Sequence, residues 1–281
     1  MLGGLALGRR FRQGVGMVVA RARSQTVLVR RRSGEQVKRV PDELAVEEPM
    51  EIRLDGHRVT TTMRTPGHDY ELAAGFCHSD GLLAGMPVIG VRYCADGPAV
   101  ETHFNVVTVE TGGRAPVPTG RMSTTTSSCG LCGTDSLTEL SARLAPLPTT
   151  TPFDLDALAA IPDKVAPLQT LFRATGAVHG AAAVDLHGTV LVVREDIGRH
   201  NAVDKVVGRL LLDGKLPASS LALYVSGRAS FELVQKAWAA GFGAMISVSA
   251  PSSLAVEAAR SAGLLLVGFP RGDRLNIYSP G

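Results

Sequence analysis

The sequence predicts a mixed α/β fold, of α+β type, with a β-rich N-terminal part and a layered α/β C-terminal part. Three observations carry this reading. Residues 50–63 alternate like a β-hairpin around a two-residue turn, and a Gly-, Pro-, Thr- and Ser-rich stretch over 111–128 runs into Cys129. Beyond residue 152, apolar strand patterns alternate with amphipathic helical ones. The 281 residues suffice for one large domain or two smaller ones. With 45% hydrophobic and 20% charged residues the composition is globular, which argues against long disorder.

Taken in order, Met50–Leu54 and His57–Met63 flank Asp55-Gly56, a pair that favours a tight hairpin turn. Pro66-Gly67 breaks the chain before a short helix at about Asp69–Cys77. Strands follow around 88–94 and 99–110, separated by a turn containing Asp96-Gly97. After the 111–128 loop a helix opens near Thr134–Ser136, where Ser136-Leu-Thr-Glu139 has capping-box spacing. Proline punctuation over 146–152 marks the best division of the chain. Strands are then expected at 179–186, 189–194, 220–225, 244–249 and 264–269, and helices at 163–174, 199–213, 229–240 and 252–262. There is no internal repeat.

Charge is unevenly spread. The first 40 residues hold ten basic side chains against Glu35 alone, while the remainder is net acidic at −6. A basic head on an acidic body argues against a general nucleic-acid-binding surface on the folded part. Arg9-Arg10-Phe11 faintly suggests an export signal. The apolar run Val15–Ala20 is shorter than the ~7–15 residues an export signal needs, so a leader segment or initiation at Met17 fits better. No stretch approaches the ~18 apolar residues of a membrane span. Four cysteines, Cys77, Cys94, Cys129 and Cys132, are too sparse for a disulfide scaffold, and reduced thiols in a cytoplasmic protein are the expectation.

Cys129-Gly-Leu-Cys132-Gly133 is the sharpest chemical feature. Two cysteines three apart, flanked by glycines and set just before a helix, can share one pocket where the helix dipole stabilises a thiolate or persulfide. Three readings stand level on spacing alone. A structural zinc site requires four ligands, and a second Cys-x-x-Cys or a close His pair is missing. A thioredoxin-like dithiol should follow a strand directly, whereas here a long Ser/Thr loop precedes it. A sulfur-relay cysteine suits an exposed loop.

Three later segments each leave a strand through a turn and enter a helix: Val193–Lys205 with Arg199, His200 and Asn201; Ser226-Gly227-Arg228-Ala229-Ser230; and Ser249–Ser253, where Ser252 or Ser253 is a cap. Taken singly, each is explained by capping or by a solvated charged face. Together, on successive strand ends of an α/β sheet, they suggest a shared anion pocket. Other motifs fail. Gly208 to Gly214-Lys215 has one residue too many for a Walker A loop, and Leu216 replaces its Ser/Thr. His179-Gly180-Ala181 lacks the Glu of a zinc-deaminase His-x-Glu, and no Pro-Cys-x-x-Cys follows it.

The Cys-Gly-x-Cys-Gly motif, Met63-Arg-Thr-Pro-Gly67, Arg194–Lys205, Ser226-Gly-Arg-Ala-Ser-Phe-Glu232 and Ser249-Ala-Pro-Ser-Ser-Leu-Ala255 together resemble the FdhD family over roughly residues 25–278. The resemblance implies a sulfurtransferase accessory to formate dehydrogenase, working as a homodimer. It would take persulfide sulfur from a cysteine desulfurase and pass it to the molybdenum of bis-molybdopterin guanine dinucleotide. Cys129 would be the carrier with Cys132 assisting, and Phe269-Pro270-Arg271-Gly272-Asp273-Arg274, after the last long strand, would bind the cofactor. The resemblance further implies a C-terminal three-layer, cytidine-deaminase-like α/β domain without its zinc chemistry, so no metal is held by protein side chains. The expected division is a basic leader over 1–24 outside the resemblance, a β-rich part over 25–148 and a cofactor-binding part over 149–281. Arg199, Arg228, Arg271 and Arg274 would dock an anionic nucleotide. A cofactor-binding chaperone that moves no sulfur and a structural zinc module are the alternatives, and Cys77 and Cys94 receive no role.

Overall fold

The computed structural model describes residues 21–93, 104–118, 133–148 and 153–280, except the side chains of 133–136 and 139. The Asp55-Gly56 expectation holds: β3 (Glu48–Leu54) and β4 (His57–Arg64) pair antiparallel around it. Both turn residues have positive φ, 47° and 87°, which Asp and Gly tolerate better than most. β6 (Val106–Glu110) lies parallel beside β3, and β5 (Gly90–Tyr93) closes a four-stranded sheet of order β4-β3-β6-β5. Helix α1 (Asp69–Ser79) follows the Pro66-Gly67 break and packs Leu72, Ala73 and Cys77 onto Met50, Ile52, Val107 and Val109.

The second sheet has six strands in the order β12-β11-β10-β9-β7-β8. They are β7 (His179–Asp185), β8 (Val190–Asp196), β9 (Leu221–Val225), β10 (Ala244–Ser247), β11 (Leu265–Arg271) and β12 (Arg274–Ser279). Side chains alternate between its faces. Ala181, Ala183, Leu223, Val225 and Met245 meet α6 (Arg199–Leu212), α7 (Phe231–Ala239) and α8 (Ser253–Ala262). Ala182, Val184, Ala222, Tyr224 and Ile246 meet α3 (Leu155–Ala159) and α4 (Ile161–Val165). Three layers result. Near-continuous apolar strands are what burial on both faces requires.

The two sheets are joined through α1 and α6. Their backbones touch at two glycines: a Cβ on Gly75 would stand 1.9 Å from the Asp204 carbonyl oxygen, and one on Gly208 would stand 1.8 Å from that of Glu71. Buried ion pairs frame the contact. Arg64 meets Asp69 at 2.9 Å, Lys205 meets Asp196 at 2.7 Å, Lys236 meets Asp204 at 2.9 Å and Arg194 meets Glu71 at 2.5 Å. Helix α2 (Gly133–Arg143) opens directly after Cys132, ahead of the capping-box spacing at Ser136. Its Leu140 packs into the core under α6–α8. Just beyond it, the Ala145 carbonyl accepts from Trp238 Nε1 at 2.8 Å.

Three expectations need correction. The helix expected over 163–174 is broken: α4 ends at Val165, Ala166–Leu168 form a 3₁₀ turn, and α5 (Thr170–Thr175) starts anew. Pro167 has no N–H to continue the helix and its ring crowds the preceding turn. The basic stretch beyond residue 24 belongs to an unanticipated hairpin, β1 (Ser24–Ser33) with β2 (Gln36–Ala45). It is exposed over most of its length, so no alternating burial marks it. Residues 269–274 do not trail the last strand. β12 returns antiparallel to β11, and Arg271 pairs with Arg274 across the turn. Among the described residues no helix is long and apolar enough to cross a membrane.

Candidate functional site

β9, β10 and β11 run parallel, and β8 shares their direction because β7 is antiparallel to both β8 and β9. Their carboxyl ends therefore share one sheet edge, where α6, α7, α8 and the β11–β12 turn all begin. Ligand sites of open α/β sheets lie at such edges. The segments singled out in the sequence thus converge, although their residues differ in what remains available.

Arg199 and His200 open α6 and are half-buried. Arg228 is exposed in the turn between β9 and α7, and Arg271, Gly272, Asp273 and Arg274 are exposed at the hairpin tip. Gly272 takes a φ of 61° there, while Phe269, at a φ of 54°, is 40% exposed beside buried Pro270. Among the described residues none of the four arginines has a carboxylate partner, so four cations face the edge uncompensated. An anion there would find charge-assisted donors.

Other expected ligands are turned inward. Asn201 is buried, and its Nδ2 donates to the Met63 carbonyl at 2.8 Å and to Asp196 Oδ1 at 3.0 Å. Its amide holds β4 to the start of α6, which corrects its reading as an anion ligand. The Ser226 hydroxyl accepts from the Gly180 N–H at 2.9 Å, and the Gly227 carbonyl accepts from Ser247 Oγ at 2.7 Å. Ser252 is the expected cap, its hydroxyl accepting from the Ala255 N–H at 3.2 Å.

Ser230 and His200, both within the segments singled out in the sequence, lie at the same edge together with His179, which lies outside those segments. Ser230 is the N-cap of α7, yet its Oγ is shielded from solvent and hydrogen-bonds to nothing among the described residues. His200 Nε2 is shielded likewise and lies 3.8 Å from Glu232 Oε2. His179 opens β7 between Asp196 on one side and the Ser226–Gly227 turn on the other. The sequence did single out His179, but only as a failed zinc motif. Its place opposite Asp196 depends on strand pairing, which no local pattern reveals.

Cys129 and Cys132 lie outside the described residues, as does Cys94. Cys77 is fully buried in the α1 core, where burial and then Asp80 and Asp204 push its thiol far above the usual range. It is a packing residue with no thiolate to offer.

The FdhD/NarQ family pattern matches residues 45–281. A sulfur carrier protein FdhD from Nocardia farcinica is 49% identical over 269 residues, which is 94% of either chain. Another of that name from Mycobacterium tuberculosis is 47% identical over 261 residues, covering 89% of this chain and 95% of the relative. Among solved structures, one described as a formate dehydrogenase accessory protein from Desulfotalea psychrophila superposes with a TM-score of 0.70 at 23% identity, over 92% of this chain and 97% of that one. On the extent of these matches, the chain belongs to the FdhD/NarQ family.

Proposed function

We propose that this protein is a cytoplasmic sulfur carrier that loads the molybdenum cofactor of formate dehydrogenase, working as a homodimer. The observation that carries the reading is near full-length similarity to proteins named sulfur carriers, in a chain that holds Cys-Gly-Leu-Cys-Gly immediately before a helix. Cys129 attacks the outer sulfur of a cysteine desulfurase persulfide as a thiolate. A new Sγ–S bond forms on Cys129, the donor's S–S bond breaks, and the donor cysteine leaves as a thiolate with no net oxidation. The positive end of α2 follows Cys132 in the chain and favours the anionic forms of both cysteines.

The acceptor, bis-molybdopterin guanine dinucleotide, is substrate here. Its pyrophosphates match the chemistry of the sheet edge, where Arg199, Arg228, Arg271 and Arg274 lack carboxylate partners among the described residues and no N-cap side chain accepts from the first N–H groups of α6 and α7. Those residues bind and orient, while Cys129 supplies the sulfur. Incubation with a cysteine desulfurase and cysteine should add one sulfur to Cys129 by mass spectrometry. Cys129→Ser should fold normally and abolish the activity of a co-expressed formate dehydrogenase. Full activity in that variant would sink the relay.

A further inference from the structure

We infer that His179 is a phosphate ligand of this edge, binding a nucleoside diphosphate in its protonated form. The inference rests on the nucleotide reading above and adds to it a residue and a proton.

The geometry is specific. β7 is the strand between β8 and β9, so its first residue sits on this edge between the start of α6 and the Ser226–Gly227 turn. The imidazole packs against that turn: a Cβ on Gly227 would stand 3.6 Å from its Nδ1. The ring is half-buried, yet neither nitrogen has a hydrogen-bond partner among the described residues. A half-buried ring with two unused nitrogens, beside Arg199 and His200, is suited to an incoming acceptor.

Its surroundings decide its charge. Burial disfavours the imidazolium first, and Arg199 and His200 from α6 add like-charge repulsion. Asp196 from β8 opposes this, but that carboxylate is already held by Lys205 Nζ, the Thr65 and Gly198 N–H groups and Asn201 Nδ2. From α7, Glu232 faces His200, and Arg228 stands exposed in the adjoining turn. With no ligand the ring is therefore uncharged at neutral pH. A phosphate placed among Arg199, His200 and His179 supplies the opposing charge that the protein withholds, and the ring takes up a proton from solvent.

Linkage fixes the sign. If binding takes up a proton, affinity rises as pH falls, by up to about tenfold per pH unit between the free and bound titration points. The probe is GDP, measured by calorimetry between pH 8 and pH 6 in buffers of differing ionisation heat. Protonation of GDP itself is common to every variant and drops out of comparisons. Wild type should take up more protons than His179→Asn and bind GDP several-fold more tightly at pH 6. His179→Arg should keep the affinity without that pH dependence. The His179 ring proton resonance in wild type should titrate at higher pH with GDP than without, a readout that stands if His179→Asn does not fold. GDP binding and proton uptake unchanged in His179→Asn, or a resonance that GDP does not move, would overturn the role of His179 alone. GDP failing to bind wild type would overturn the nucleotide reading and this inference with it.

Discussion

Glu71→Gln tests how the two sheets are locked together. Glu71 lies on α1 and is 8% exposed, and its two carboxylate oxygens accept from Arg194 of β8 at 2.5 and 2.8 Å. His68 lies 3.5 Å away, and Arg209 of α6 is within 3.8 Å. Burial pushes the carboxyl up, but Arg194 and His68 together pull it down further, from an ordinary 4.5 to about 2. A depressed carboxylate stabilises the fold fully above its unfolded value and loses that contribution as pH falls toward its folded one. The window is therefore pH 4.5 down to about 2. At roughly 1.4 kcal/mol per unit, Glu71 contributes about 3 kcal/mol at pH 7 and about 1.4 kcal/mol at pH 3. Glutamine keeps the shape and loses the charge. Urea unfolding at several pH values should show wild type ahead by about 3 kcal/mol at pH 7, with the gap halved near pH 3. A gap that stays constant from pH 7 to pH 3 would refute the ionic account.

The other structural and binding consequences are sharper in outcome. Gly208→Ala places a methyl group 1.8 Å from the Glu71 carbonyl oxygen, so α1 and α6 must separate. The improved helix propensity of about 1 kcal/mol does not offset this, and chemical denaturation should show a net loss of about 2 kcal/mol. Lys205→Met leaves Asp196 buried without its ammonium partner at 2.7 Å and should cost about 3–5 kcal/mol in the same assay. Arg228→Ala should weaken GDP binding about tenfold by calorimetry, since ~1.4 kcal/mol is tenfold, while Cys129→Ser leaves it unchanged. Arg228→Ala binding as tightly as wild type would move the phosphates away from the turn between β9 and α7.

What the sequence made legible follows from where the information sits. The hairpin at Asp55-Gly56, the start of α1 after Pro66-Gly67 and the strand–helix alternation from residue 179 are local patterns tied to burial, and each is found. The β1–β2 hairpin escaped because both of its faces are largely exposed: Leu28 is 69% and Val37 49% exposed, so period-two alternation carries no burial signal. β12 escaped for a related reason, as an edge strand with Ile277 47% exposed. The convergence of the three strand-end turns on one edge was readable, because parallel strands force it. The neighbours of His179 were not, because they depend on β7 lying between β8 and β9 out of chain order.

The charged run Arg194–Lys205 shows why composition alone misreads such a segment. Arg194 is spent on Glu71, and the Glu195 carboxylate accepts from the Leu171 and Phe172 N–H groups at the start of α5. Asp196 binds Lys205, while Asn201 reaches back to β4. On α6, Asn201, Asp204, Lys205 and Gly208 fall at helical spacing on the buried face against α1 and its flanks. Arg199 and His200 stand at the first turn, ahead of that buried stripe, and are left at the edge. Because each acid of the run is consumed by an internal cation or an N–H group, none remains to neutralise the cations beside the turns. One stretch of chain thereby fixes the packing of two sheets and leaves the carboxyl-end edge of the six-stranded sheet positively charged. Its interior and exterior residues should separate cleanly, inward substitutions lowering stability and Arg199 substitutions lowering GDP affinity alone.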